Sequence, residues 1–320
     1  MSLDKYEIIK LDNFNKWNEF ELGSPQSSIF SSLESIEFYK DQLDIYRISK
    51  GAVTKSIVYL HSPNKKDITP EILIYSGILF SPQKLQKEAR YIAEKHTITK
   101  FIIENILMKY DKIDLNLHYN IEDIRPFAWH NYHKTSNEKF QIEVRYTAII
   151  NINNENLDSC FSKMDDIKQR DIKKCLKDKD ISFDYKENLN DLKNFYYQTM
   201  KKNNGEFNKK IFERTLNFLE ILNSKKKGFQ TNITYKGKII YSSFFSIHNN
   251  VACYLYGAGD VNFKNRYAGT YCLWKSLEFC LEKKLKLIDL EGVNSPQRGS
   301  FKLSFGSKLK PYFNISYKYN

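Results

Sequence analysis

LKLIDLEGVNSPQRGSFKLSFG, residues 285–306, decides how the rest of the chain is read. Leu285, Leu287, Ile288 and Leu290 make its first eight residues a strand, and Asp289 and Glu291, two apart on that strand, are expected on one face. In an α/β sheet, ligands bind outside the carboxyl ends of strands, so two carboxylates and a glycine at such an end point to a crevice. Lys302 lies between Phe301 and Phe305. A lysine so placed either snorkels to water or supplies fixed positive charge to a phosphate or a developing oxyanion.

Upstream, FQTNITYKGKIIYSSFFSIHNNVACYLYGAGD (229–260) is rich in β-branched and aromatic residues and is broken by the turn signals YKGK (235–238) and HNN (248–250). Three strands of an antiparallel meander are expected there. AGTYCLWKSLEFCLEKK (268–284) follows as a helix with Leu273, Leu277, Cys280 and Leu281 at helical spacing. GAGDVNFKNRYAGTY (257–271) links the two. A strand feeding a helix whose first backbone N–H groups are free makes an anion site, and Gly269 beside Arg266 would admit a pyrophosphate.

The first half repeats the order meander, helix, strand. DIYRISKG (44–51), SIVYLHS (56–62) and ILIYSGILF (72–80) are strand-like. SPQKLQKEARYIAEKH (81–96) is expected as a helix with Ser81 as N-cap, Pro82 first, and Leu85, Ala89, Ile92 and Ala93 on one face. KIDLNLH (112–118) and IEVRYTAIIN (142–151) are further strands. Residues 157–223 are expected to be polar and helical. They include MDDIKQRDIKKCLKDKD (164–180), with an apolar stripe of Ile167, Ile172, Cys175 and Leu176, and NKKIFERTLNFLEIL (208–222). The expectation is two similarly built α/β units.

No window approaches the run of about 20 apolar residues that a membrane span needs, and MSLDKYEIIK lacks an export leader, so a cytoplasmic protein is expected. Five cysteines without a CxxC pair speak against a disulfide framework or zinc ribbon. The 50 Lys+Arg against 38 Asp+Glu give +12, but the basic residues are scattered, as on a solvated lysine-rich surface, so nucleic acid is not the expected partner.

RPFAWHNYH (125–133) concentrates two of the chain's six histidines. An H-x-x-H pair without further ligands makes no zinc site. Trp129 and Tyr132 either fill core or stack on a base or sugar face, with His130, Asn131 and His133 either capping backbone or bonding hydroxyls, phosphate or an amine.

From Gly228 to Phe313 the chain resembles the carboxyl-terminal domain of the FemABX-like, tandem-GNAT acyltransferases. The shared features are a meander, a helix, a strand ending in an acidic residue and glycine, and an F-K-x-x-F-G element, here FKLSFG (301–306). R-x-x-G at 266–269 resembles the first half of the GNAT pyrophosphate loop, with Tyr271 where that family usually has a second Gly or Ala. MDDIKQRDIKKCLKDK resembles the helix between the family's two halves. No heptad segment is present for the helical arm often carried by the tRNA-dependent peptidoglycan branch. RPFAWHNYH followed by RYTAIIN is similar instead to the branch that N-acylates nucleotide-linked amino sugars.

The resemblance implies two GNAT-like domains, each a mixed, largely antiparallel sheet flanked by helices, with 1–155 on the acceptor side and 156–320 on the acyl-CoA side. It implies acyl-CoA as co-substrate, no permanently bound cofactor, and a dTDP- or UDP-linked amino sugar as acceptor. Cofactor contacts would fall on Tyr256, Gly257, Ala258, Arg266, Gly269 and Thr270, and acceptor contacts on Arg125, Trp129, Asn131, Tyr132 and Tyr146. Such an enzyme must take a proton from the amine. His130 and His133 are the first candidates, Asp289 and Glu291 stand behind them, and Lys302 supplies positive charge. The rival readings are a tRNA-dependent aminoacyltransferase, a non-catalytic nucleic-acid-binding protein and a degenerate GNAT scaffold.

Overall fold

The structure, a computed structural model, describes residues 6–318 apart from 12, 13, 15, 70–72, 84, 85, 135–138, 203–207 and 264–266. In chain order its elements are β1 (Glu7–Lys10), α1 (Trp17–Gly23), α2 (Leu33–Tyr39), β2 (Leu43–Lys50), β3 (Val53–His61), β4 (Gly77–Phe80), α3 (Glu88–Asn105), β5 (Lys112–Asn116), α4 (Arg125–Ala128) and β6 (Gln141–Asn151). They continue with α5 (Leu157–Ser162), α6 (Asp166–Lys177), β7 (Ile181–Asp184), α7 (Leu189–Lys202), α8 (Lys209–Ser224), β8 (Gly228–Tyr235), β9 (Lys238–His248), β10 (Val251–Gly259), α9 (Ala268–Glu282), β11 (Leu287–Gly292), α10 (Pro296–Leu303) and β12 (Lys308–Lys318). Among the described residues no helix is long and apolar enough to cross a membrane. The chain forms two compact units. One runs to Arg145 and takes back the chain from Pro311; the other is Tyr146–Lys310.

In the first unit β1 to β4 form an antiparallel sheet in that order. β5 pairs antiparallel with the end of β12, Ile113 opposite Tyr317 and Leu115 opposite Ile315. Ile48, Val58 and Leu60 of the sheet, Ile98 and Ile102 of α3, and Ile113 and Ile315 share one core. The expected helix 81–96 begins later, at Glu88, because the Ser81 N–H donates to the Lys55 carbonyl at 3.0 Å and prolongs the β-ladder instead of capping a helix. Leu85 lies outside the described residues. Of the expected strand 72–80, residue 72 lies outside the described residues, and within 73–80 the strand is confined to the last four, since Gly77, with φ 102, turns the chain where it enters β4.

The second unit carries the meander as expected. β8, β9 and β10 are antiparallel, and positive φ at Lys236 and Gly237, and at Asn249 and Asn250, gives the two tight turns. α9 then returns the chain so that β11 lies parallel to β10, and β6 lies antiparallel to β11. Phe245, Ala252, Cys272, Leu277, Ile288 and Phe305 lie in its core. The polar helical region is interrupted by β7, which pairs with β8. On α6 the expected stripe holds only for Ile172 and Cys175; Ile167 and Leu176 are exposed at 55% and 58%. That narrower contact lets Lys168 face α9 and α10 instead. All five cysteines are free and buried. Both units are α/β, with mixed and largely antiparallel sheets flanked by helices.

Candidate active site

β10 and β11 pair in parallel only over Val251–Cys253 and Leu287–Asp289. Beyond that point both strands carry an extra residue. On β10 the register with β9 shifts between Tyr254 and Tyr256; on β11 the register with β6 shifts between Asp289 and Gly292. A β-bulge bends its strand and re-aims a side chain, and bulges are common beside active sites. Two adjacent parallel strands bulged at the same level leave β10 paired with β9 alone toward its carboxyl end.

The β11 bulge creates the chemistry. Glu291 has φ 57, a left-handed conformation that costs a non-glycine residue about 1–2 kcal/mol and is usually found where function demands it. Simple strand alternation therefore does not bring Asp289 and Glu291 together, as the spacing alone suggested. The bulge curls the strand so that the Glu291 N–H donates to Asp289 Oδ1 at 2.8 Å. The same oxygen accepts from the Thr147 hydroxyl of β6 at 2.5 Å. Glu291 Oε1 accepts from the Cys253 thiol at 3.3 Å. Lys302 reaches in from α10, donates to the Gly292 carbonyl at 3.1 Å and lies over the Tyr254 ring at 5.4 Å.

Asp289 and Glu291 are both buried, at 3% and 8% exposure. Burial raises the Glu291 carboxyl to about 8; the Asp289 charge adds to this, while Lys302 and the Cys253 hydrogen bond oppose it. Burial also draws Lys302 down from the ordinary lysine range, against the attraction of Glu291 and Asp289. The Cys253 thiol is pushed well up by burial and by the two carboxyl groups, which makes it a poor nucleophile. The site thus holds a carboxyl group that changes charge near neutral pH beside a cation, at the end of a parallel strand pair.

Tyr146 adjoins this cluster. Its N–H donates to Asn294 Oδ1 at 2.8 Å and its carbonyl accepts from the Val293 N–H at 3.1 Å, which ties the start of β6 in this unit to the turn after β11. Its side chain is 41% exposed. On β10, a Cβ at Gly257 would lie 1.7 Å from the Tyr254 hydroxyl, so the strand needs glycine for Tyr254 to fold beneath it. The Tyr256 ring packs against Tyr196 and Phe212 of α7 and α8, 5.3 and 5.5 Å between centroids, and Ala258 is buried. At the start of α9, Thr270 accepts from Lys168 Nζ at 3.3 Å, and a Cβ at Gly269 would meet the Tyr241 ring at 3.1 Å. Arg266 lies outside the described residues.

The RPFAWHNYH residues belong to the other unit. α4 is one turn long with Pro126 in it, and Arg125 is engaged bidentately by Asp123, at 2.7 Å for each nitrogen, while lying 5.4 Å from the Trp129 ring. Trp129 and Tyr132 are exposed at 53% and 63%, so they do not fill core. His130 packs edge-on to Phe140 at 5.3 Å, burial lowers its pKa, and its Nε2 is 3.2 Å from the Asn131 amide nitrogen. Asn131 takes a φ of 51, and His133 packs on Tyr132 at 5.2 Å.

Sequence reasoning missed Thr147, Cys253 and Tyr254. The signal available was a threonine in the otherwise apolar AII run of β6 and a polar-tipped residue in the apolar β10.

No family model and no curated protein matches the chain. Solved structures do. The crystal structure of FemX aligns over 98% of both chains with TM-score 0.66 and 12% identity. A tandem GNAT protein from the clavulanic acid biosynthesis pathway aligns over 98% of both chains with TM-score 0.56 and 10% identity. An acetyltransferase of the GNAT family from Colwellia psychrerythraea aligns over 98% of this chain and 100% of its own with TM-score 0.52 and 9% identity. At these identities the likeness is one of fold, and the fold is that of two GNAT-like domains in tandem.

Proposed function

We propose that the chain is an N-acyltransferase that moves an acyl group from acyl-CoA to the amine of a nucleotide-linked deoxyamino sugar. The observation that carries this reading is the Glu291, Asp289 and Lys302 cluster where β10 and β11 part. A thioester carbonyl laid along the free side of β10 would meet backbone N–H groups at 256–258, which can receive the developing oxyanion. Glu291, once ionised, takes a proton from the attacking nitrogen. The new C–N bond forms as the C–S bond breaks, and CoA leaves as a thiolate that regains a proton, so an amide and free CoA are the products. Lys302 keeps positive charge beside the carboxylate as it ionises. The acceptor-binding role of Trp129, Tyr132, His130, His133, Asn131 and Arg125 is supported by the two exposed aromatic rings in a short polar segment.

The test is incubation with acyl-CoA, a panel of dTDP- and UDP-amino sugars and a thiol reagent. Free CoA is expected with some acceptors and not without them. Release with none overturns the reading. A second reading, transfer from aminoacyl-tRNA, is favoured by the +12 charge. It predicts retention on tRNA that falls steeply with salt, together with no CoA release.

A further inference from the structure

The first unit holds a cavity of about 880 Å³ walled by α1, the β2 and β3 hairpin, the residues after β4, and α3. None of its residues belongs to the Glu291 cluster. Its size is within the ~300–1,000 Å³ typical of small-molecule sites. Phe14, Trp17, Phe20, Ile57 and Pro82 supply apolar surface, and the Trp17 indole N–H is already satisfied by the Ser31 carbonyl at 2.8 Å.

The charged groups on its wall are not equivalent. Lys55 and Glu94 neutralise each other at 2.8 Å, and Lys16 and Glu19 are exposed and opposite in sign. Arg47 is different. Its Nε is buried and donates to no acceptor, and among the described residues the guanidinium has no carboxylate partner. Leaving this buried Nε donor unmet is costly, and the planar guanidinium suits two oxygens of one acid. One uncompensated positive charge matches one negative charge, whereas a phosphate monoester would leave a second charge desolvated.

We propose that this cavity binds a small amphipathic carboxylic acid, its carboxylate on Arg47 and its apolar body against Phe14, Trp17 and Phe20. The site is independent of the acyl-transfer reading. Titration calorimetry on the full chain with 2-naphthoate, 2-naphthylmethanol and 2-naphthyl phosphate tests it. The naphthoate is expected to bind saturably and at least about tenfold more tightly than either analogue, and Arg47→Met to reduce it to the level of the alcohol. Thr54→Trp, which places an indole in the cavity, is expected to abolish naphthoate binding with the circular dichroism unchanged. Equal binding of naphthoate and alcohol by the native chain, preference for the phosphate, absence of saturable naphthoate binding, or full binding by folded Thr54→Trp would each overturn the proposal.

Discussion

Asp289 Oδ1 accepts the backbone N–H of Glu291 at 2.8 Å, so the carboxylate at the end of the parallel pairing holds the bulge that carries its neighbour. The two acidic residues do different work: Asp289 holds the bulge by accepting its N–H, and Glu291 is the group whose pKa burial raises to about 8.

If Glu291 takes the proton, Glu291→Gln should lower kcat/KM by ~10²–10⁴ and remove an ionisation from the pH-rate profile. With the native carboxyl near 8, the native rate should rise as pH passes through about 8. A profile for Glu291→Gln that keeps that rise assigns the ionisation elsewhere.

Neighbouring charges should move this ionisation in opposite directions. Asp289 raises the Glu291 pKa and Lys302 lowers it. Asp289→Asn should shift the rising limb of the rate to lower pH and Lys302→Met to higher pH, the latter also reducing turnover more than thermal stability. Profiles measured on both variants check the pair of signs.

Stability should follow the same carboxyl group. Its folded pKa, about 8, lies above its unfolded value, so its contribution is complete at acid pH below the unfolded pKa and is lost as pH rises to about 8. The native chain should therefore lose more Tm than Glu291→Gln between pH 5 and pH 9. The difference is on the order of a few kcal/mol, read by thermal melts across that range.

Gly257→Ala should destabilise by about 1–3 kcal/mol, because the new methyl overlaps the Tyr254 hydroxyl. Tyr254→Ala in the same chain should recover part of that loss. A denaturant double-mutant cycle with strictly additive effects would contradict the contact.

The parts of the fold set by local chemistry were legible. YKGK and HNN turned where positive φ was needed, and the apolar spacing of 268–284 gave α9 to within two residues of its end. What was illegible depended on partners distant in sequence. Ser81 has the chemistry of an N-cap, yet the Lys55 carbonyl claims its N–H. Ile167 and Leu176 have helical spacing, yet α6 offers them no surface to cover. At the site, the carboxylates and Lys302 stood out as residue types, but their meeting rests on a bulge opposite Ala148 that no periodicity announces.

β12 has a consequence for the order of events on the ribosome. Ile315 and Tyr317 complete the core of the first unit, and the Asn314 amide joins Asp114 at 2.8 Å and Asn116 at 2.9 Å. Every residue of Tyr146–Lys310 is synthesised before these are. The first unit therefore cannot close its core on the segment to Arg145 alone and waits for a strand made after the whole of the second unit, a departure from domain-by-domain completion in chain order.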